Sequence, residues 1–206
     1  MIWLPVAFFA TALLYASVGF GGGSTYSALL ALAGISAALL PIVSLSCNIV
    51  VVTGSSIRFA RGREVPWRCA LLLALTAAPM SFLGGLTPIK EKTFLLLLGA
   101  SLVVAGLTLL VPRAPEREGQ ATPMAKFMPL AAAPLGYLAG LVGIGGGIFL
   151  APLLHLTRWN SARKIAATTS LFILINSVTG LTGQLTKNGP EKFGEALSGA
   201  LPLLIA

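Results

Sequence analysis

The sequence contains no aspartate, and its only acidic side chains are six glutamates. Charged residues make up 10% of the 206, where an ordinary soluble domain carries about 25%. There is a single histidine, His155, and there are two cysteines, Cys47 and Cys69. Each scarcity excludes something. So little polar side chain cannot clothe a water-soluble globule. One histidine and loop glutamates do not assemble a nucleophile with its base, so no catalytic residue is expected and the chain does not read as an enzyme. Two cysteines, one inside an apolar run and one at the border of the next, make neither a metal-ligand set nor a disulfide framework. No metal and no cofactor is expected. No acidic or basic group stands in the middle of an apolar run, which removes the usual mark of an intramembrane proton relay.

What fills the chain instead is apolar. Hydrophobic residues are 56% of it and the mean hydropathy is +0.90. A helix needs about 20 apolar residues to cross the hydrocarbon core, so the chain has material for several crossings and reads as an all-α, polytopic membrane protein. Continuous runs rich in Leu and Ala exclude the alternating ten-residue segments of a membrane barrel. Nine helical elements are predicted, over 2–18, 25–34, 37–57, 69–86, 93–111, 127–142, 148–156, 165–185 and 193–206. The second and seventh are too short to span alone, and each follows a run of three glycines. The N-terminus has no basic n-region and runs straight into the first of these, so it reads as a helix and not as a signal peptide.

The fourteen basic residues lie between the apolar runs. That is the distribution left by the positive-inside bias, and with no basic–aromatic platform in sight nucleic acid is not an expected partner; the lipid bilayer is. If elements one and two form a hairpin, and six and seven another, then Arg58, Arg61, Arg63, Arg68, Arg113, Arg117, Lys126, Arg158, Arg163 and Lys164 share the inner face. Lys90, Lys92, Lys187 and Lys192 then face out. This model implies inverted repeats in a multi-pass membrane protein. Single through-spanning helices would imply parallel repeats and a slightly poorer charge split.

The internal repeat is visible directly. At an offset of 124, Gly19, Gly21, Gly22 and Gly23 fall on Gly143, Gly145, Gly146 and Gly147, and Pro5 falls on Pro129. After a slip of two, Ser44-Leu45 falls on Ser170-Leu171 and Val52-Thr53-Gly54 on Val178-Thr179-Gly180. The chain therefore divides into a first transmembrane repeat (1–111), a polar linker (112–126) and a second repeat (127–206). The second lacks a counterpart of 93–111. A longer coding region or completion by another subunit, such as a homodimer, is expected on that ground.

The paired breaks, VGFGGGST (18–25) and VGIGGGIF (142–149), are the sharpest feature. Glycine tolerates positive φ and admits close neighbours, and three in a row would unwind a helix. Freed backbone groups survive in a bilayer only where protein or a water-filled cavity satisfies them. The short helices that follow would aim their positive ends at the breaks, a ready anion site. Matched interruptions in two repeats point to a transporter's binding site. The competing reading is close helix packing, since Gly19/Gly23, Gly136/Gly140 and Gly143/Gly147 are GxxxG pairs.

The candidate substrate-binding residues are Gly21, Gly22, Gly23, Ser24 and Thr25 at the first break and Gly145, Gly146 and Gly147 at the second. Asn48, Thr169, Ser170 and Asn176 join them from the following helices, because amides and hydroxyls donate to oxyanions without a buried charge. The same side chains could equally serve as interhelical hydrogen bonds, typically ~0.6 kcal/mol each in membranes. His155, beside Arg158, reads as an interfacial residue.

With both breaks, the TSL run at 169–171 and the basic RFARGR patch at 58–63 in view, the chain resembles the sulfite exporter TauE/SafE family over most of residues 10–190. The resemblance implies an inner-membrane secondary transporter that exports a small sulfur-containing anion or a related organic oxyanion. It places Gly21–Gly23 with Ser24 and Thr25, and Gly145–Gly147, at the transport site. A non-transporting membrane scaffold, with glycines for packing only, is the alternative.

Overall fold

The computed structural model of the protein describes residues 3–110, 127–189 and 194. The described residues form eight long elements and no strand: α1 (Trp3–Val18), α2 (Gly23–Leu32), α3 (Leu40–Arg61), α4 (Trp67–Leu86), α5 (Glu91–Leu110), α6 (Met128–Val142), α7 (Gly147–Leu156) and α8 (Ala162–Asn188). These match the first eight predicted runs, with ends shifted by a few residues. The polar linker 112–126 and nearly all of the ninth run lie outside the described residues.

Four helices are long and apolar enough to cross a bilayer: Leu40–Arg61, Trp67–Leu86, Glu91–Thr108 and Ala162–Asn188. They carry large exposed side chains such as Leu75, Leu96, Val103 and Val50, the surface a hydrocarbon solvent requires.

Glycine and alanine let the second half close tightly on α4. A Cβ on Gly136 would lie 2.4 Å from the carbonyl oxygen of Ala77, and Gly140 meets the Ser81 backbone. Gly85 approaches the Gly180 carbonyl just as closely, and Ser81 Oγ donates to the carbonyl of Asn176 at 2.8 Å. The pairs 77/136 with 81/140, and 81/176 with 85/180, advance together, so α4, α6 and α8 run in one direction. Helix α3 runs the other way, because Ser56 meets Ser170 (Oγ–Oγ 2.9 Å) while Leu45 lies against Gly180. Gly136 and Gly140 are therefore packing glycines, as the GxxxG reading expects.

These directions define two ends. One gathers the α3 C-terminus, the α3–α4 loop and the α7–α8 loop, with Arg58, Arg61, Arg63, Arg68, Arg158, Arg163 and Lys164. It is tied across the repeats by Arg163 Nη1 to Glu64 Oε1, 2.9 Å. The opposite end holds Lys90, Lys92 and Lys187, the last with Nζ 3.4 Å from the Thr87 carbonyl.

Neither broken pair spans. In the first, Phe8 stacks on Tyr26 with ring centroids 4.8 Å apart, so α2 folds back along α1. Leu4 and Leu30 share a core with Leu40 and Phe94, near the starts of α3 and α5. In the second, Met128 and Leu154 share a core with Ile165 at the start of α8. The first hairpin thus has its open side toward the less basic end, and the second toward the basic end.

Candidate functional site

The two turns solve the same problem differently. In the second break Gly143, Gly145 and Gly146 all have positive φ (77°, 79° and 78°), the conformation in which a side chain is strained. In the first, only Gly19 does (86°), and Gly22 sits at −84°. Positive φ is thus taken by two of the three triplet glycines in the second break, Gly145 and Gly146, and by none of Gly21, Gly22 and Gly23 in the first. At Gly22 glycine is required by space: a Cβ there would lie 2.8 Å from Thr11 Cγ2 and 2.9 Å from the Tyr26 ring.

Helix α3 braces both turns from one face. Ser44 Oγ donates to the Gly23 carbonyl at 2.7 Å. One turn later Asn48 Nδ2 donates to the Ile144 carbonyl at 3.1 Å. Asn48 is wholly buried, and its carboxamide touches both breaks. A Cβ on Gly21 would lie 2.5 Å from its Oδ1, and one on Gly145 would lie 2.8 Å from its Nδ2. The Ile144 carbonyl, which unwinding frees, is thus taken up by a donor from α3, as a low-dielectric interior demands.

The N–H groups are a different matter. Helices α2 and α7 begin at Gly23 and Gly147, with glycine N-caps and no side-chain cap. The backbone N–H groups of Gly21 to Thr25 and of Gly145 to Ile148 take no protein acceptor among the described residues. Orphan donors at a helix start carry the positive end of its dipole.

A cavity of about 510 Å³ reaches the first turn of both short helices. Tyr15, Gly21 and Ser24 line it from the first half of the chain, and Ile144, Gly147 and Ile148 from the second. Toward the basic end it is lined by His155, Arg158 and Ala162, and by Thr108 of α5. Among the described residues, no carboxylate lines it. A volume of this size suits a small molecule, and a guanidinium with orphan N–H groups suits an anion.

The sequence candidates distribute unevenly around it. Gly21, Ser24 and Gly147 line the cavity, and Thr25 stands just behind, its Oγ1 3.1 Å from Tyr15 Oη. Gly22, Gly23, Gly145 and Gly146 shape the turns. Thr169 touches Gly147 through its methyl, and its buried Oγ1 has no partner among the described residues. Ser170 faces α3 through Ser56. Asn176 donates to its own helix, Nδ2 to the Phe172 carbonyl at 2.8 Å, and lies at the α4 seam. Four polar lining residues were not candidates: Tyr15, Thr108, His155 and Arg158. Only Arg158 carried a signal, as a cation directly after a short broken helix. Ser177, whose buried hydroxyl lies against Gly145 without a partner, was also missed.

Comparison with known proteins agrees with this architecture. A family model described as "Sulfite exporter TauE/SafE" matches residues 3–206. A "probable membrane transporter protein" of Sinorhizobium fredii is 35% identical over 187 residues, 88% of this chain and 75% of that protein. Another of the same description, from Methanocaldococcus jannaschii, is 26% identical over 141 residues, 65% of this chain and 51% of its own length. No solved structure matches the chain. The paired glycine breaks, the multi-pass helical architecture and a family match over nearly the full length agree: the chain belongs to the sulfite exporter TauE/SafE family of membrane proteins.

Proposed function

We propose that the protein is a secondary transporter that exports a small sulfur-containing anion, such as sulfite, sulfoacetate or another sulfonate, across the inner membrane. The observation that carries this reading is the convergence of two uncapped helix starts on one cavity that Arg158 lines. The name of the matching family supports the sulfur anion. The two hairpins, open toward opposite ends, support inverted repeats, with 1–111 and 127–206 as the two units. The positive-inside bias then puts the basic end in the cytoplasm, so the cavity takes up its anion there. A membrane potential negative inside favours efflux by about 2.3 kcal/mol per charge per 100 mV, and no proton need be carried.

The test is flux through the purified protein in proteoliposomes, using sulfite, sulfate, sulfoacetate, taurine and small carboxylates. Saturable flux of one or more sulfur oxyanions is expected. A scaffold whose glycines only pack helices gives none. Arg158→Cys and Lys187→Cys, reacting with an impermeant thiol reagent from the same face, would sink the inverted arrangement.

A further inference from the structure

A second cavity, of about 330 Å³, lies at the other end of α8 from the first. Its walls include Ala38 and Pro41 before and in α3, Leu141 at the end of α6, and Lys187 near the end of α8. The 27 residues of α8 are about 40 Å long, so two cavities at its two ends open toward opposite faces of the protein. What separates them is thin. Leu141 lines the second cavity and Ile144 the first. Three residues of chain reach at most about 11 Å. The ~30 Å of a hydrocarbon core is thereby reduced to one turn of backbone, and that turn is the second glycine break.

We propose that this second cavity is the release vestibule of the anion path, and that residues 141–144 are the partition between it and the binding cavity. The proposal rests on the transport reading above. Two contacts hold the partition shut. The Gly143 backbone lies against Pro41, where a Cβ would come within 2.4 Å, and Asn48 Nδ2 grips the Ile144 carbonyl. Both partners belong to α3, so a small shift of the α6–α7 hairpin against α3 opens the way.

The ionisable lining gives the path a sense. Among the described residues, the first cavity has His155 and Arg158, and the second balances Lys187 with Glu91. An anion is therefore held at the cationic end and weakly held at the neutral one, which is what release requires.

The test uses Ala38→Cys, in the second cavity, and Ala166→Cys, in the first. Both are made with the exposed Cys69 replaced by Ser, in proteoliposomes of known orientation. A negatively charged, impermeant methanethiosulfonate is added to one face at a time. Position 38 is expected to react only from the less basic face and position 166 only from the basic face. An anionic adduct at 38 is expected to cut flux about tenfold or more, the effect of raising a barrier by about 1.4 kcal/mol. Position 38 reacting from the basic face, or from neither, overturns the proposal. So does flux that survives full modification at 38, and that outcome leaves the transport reading standing. Absence of any anion flux before labelling overturns both.

Discussion

Asn48 of α3 donates a hydrogen bond to the carbonyl oxygen of Ile144, 96 positions further along the chain, at 3.1 Å. One buried amide thereby joins the first repeat to the glycine break of the second, at the place where the two cavities come nearest.

Replacing it tests that brace. In Asn48→Leu the Ile144 carbonyl loses its donor inside an apolar seam. The expected loss lies between ~0.6 kcal/mol, the mean for a hydrogen bond in a membrane, and ~3 kcal/mol for a buried orphan. Thermal unfolding in detergent measures it, and flux is expected to fall further than stability does. A variant with native melting and native flux would show that the bond holds nothing.

Valine at the two breaks should fail for two reasons. Gly146 stands at φ 78°, where a β-branched residue is a genuine outlier. Gly22 has an ordinary φ but no room, with Thr11 and Tyr26 under 3 Å from a Cβ. Both variants are expected to lose transport while much of the protein stays folded. At Gly22, Thr11→Ala should recover part of any lost stability, and at Gly146 no neighbouring truncation should. Flux measured beside melting temperature decides. Normal flux with lost stability in both would mean the breaks serve packing alone.

Gly140 should behave in the opposite way. It touches the Ser81 backbone and no cavity, so Gly140→Val pushes α6 off α4. Overpacking of this kind costs about 1–3 kcal/mol or more. Low yield and a lower melting temperature are expected. The surviving protein should retain its anion affinity, read by binding titration. Native stability would mean that α4 and α6 do not meet there.

Arg158 is exposed and lines the binding cavity. Arg158→Gln should raise KM for the anion about 2- to 5-fold, the scale of an exposed charge interaction of up to ~1 kcal/mol. Added salt should shrink the difference. Melting temperature should not move. An unchanged KM at low salt would remove Arg158 from the anion's path.

The membrane class, the eight described helices and the glycine turns were all present in one dimension. Run length, glycine clustering and the near absence of charge are local properties, and the bilayer makes local hydropathy decisive because a spanning helix satisfies its own backbone. The repeat offset likewise picked out Gly21 and Gly147, and the first break added Ser24; the fold brings all three to a single cavity. What the sequence left open was which polar residues serve that cavity. Asn176 and Asn48 look alike on a helical wheel. Tertiary packing turns one into its own helix and sets the other between the breaks. Tyr15 gave no pattern at all, since it reaches the cavity through the folding-back of a hairpin. The different backbone solutions at Gly22 and Gly146 were equally invisible, because a triplet of glycines permits either, and only the neighbours (Thr11 and Tyr26, or Ala139 and Phe172) decide which is taken.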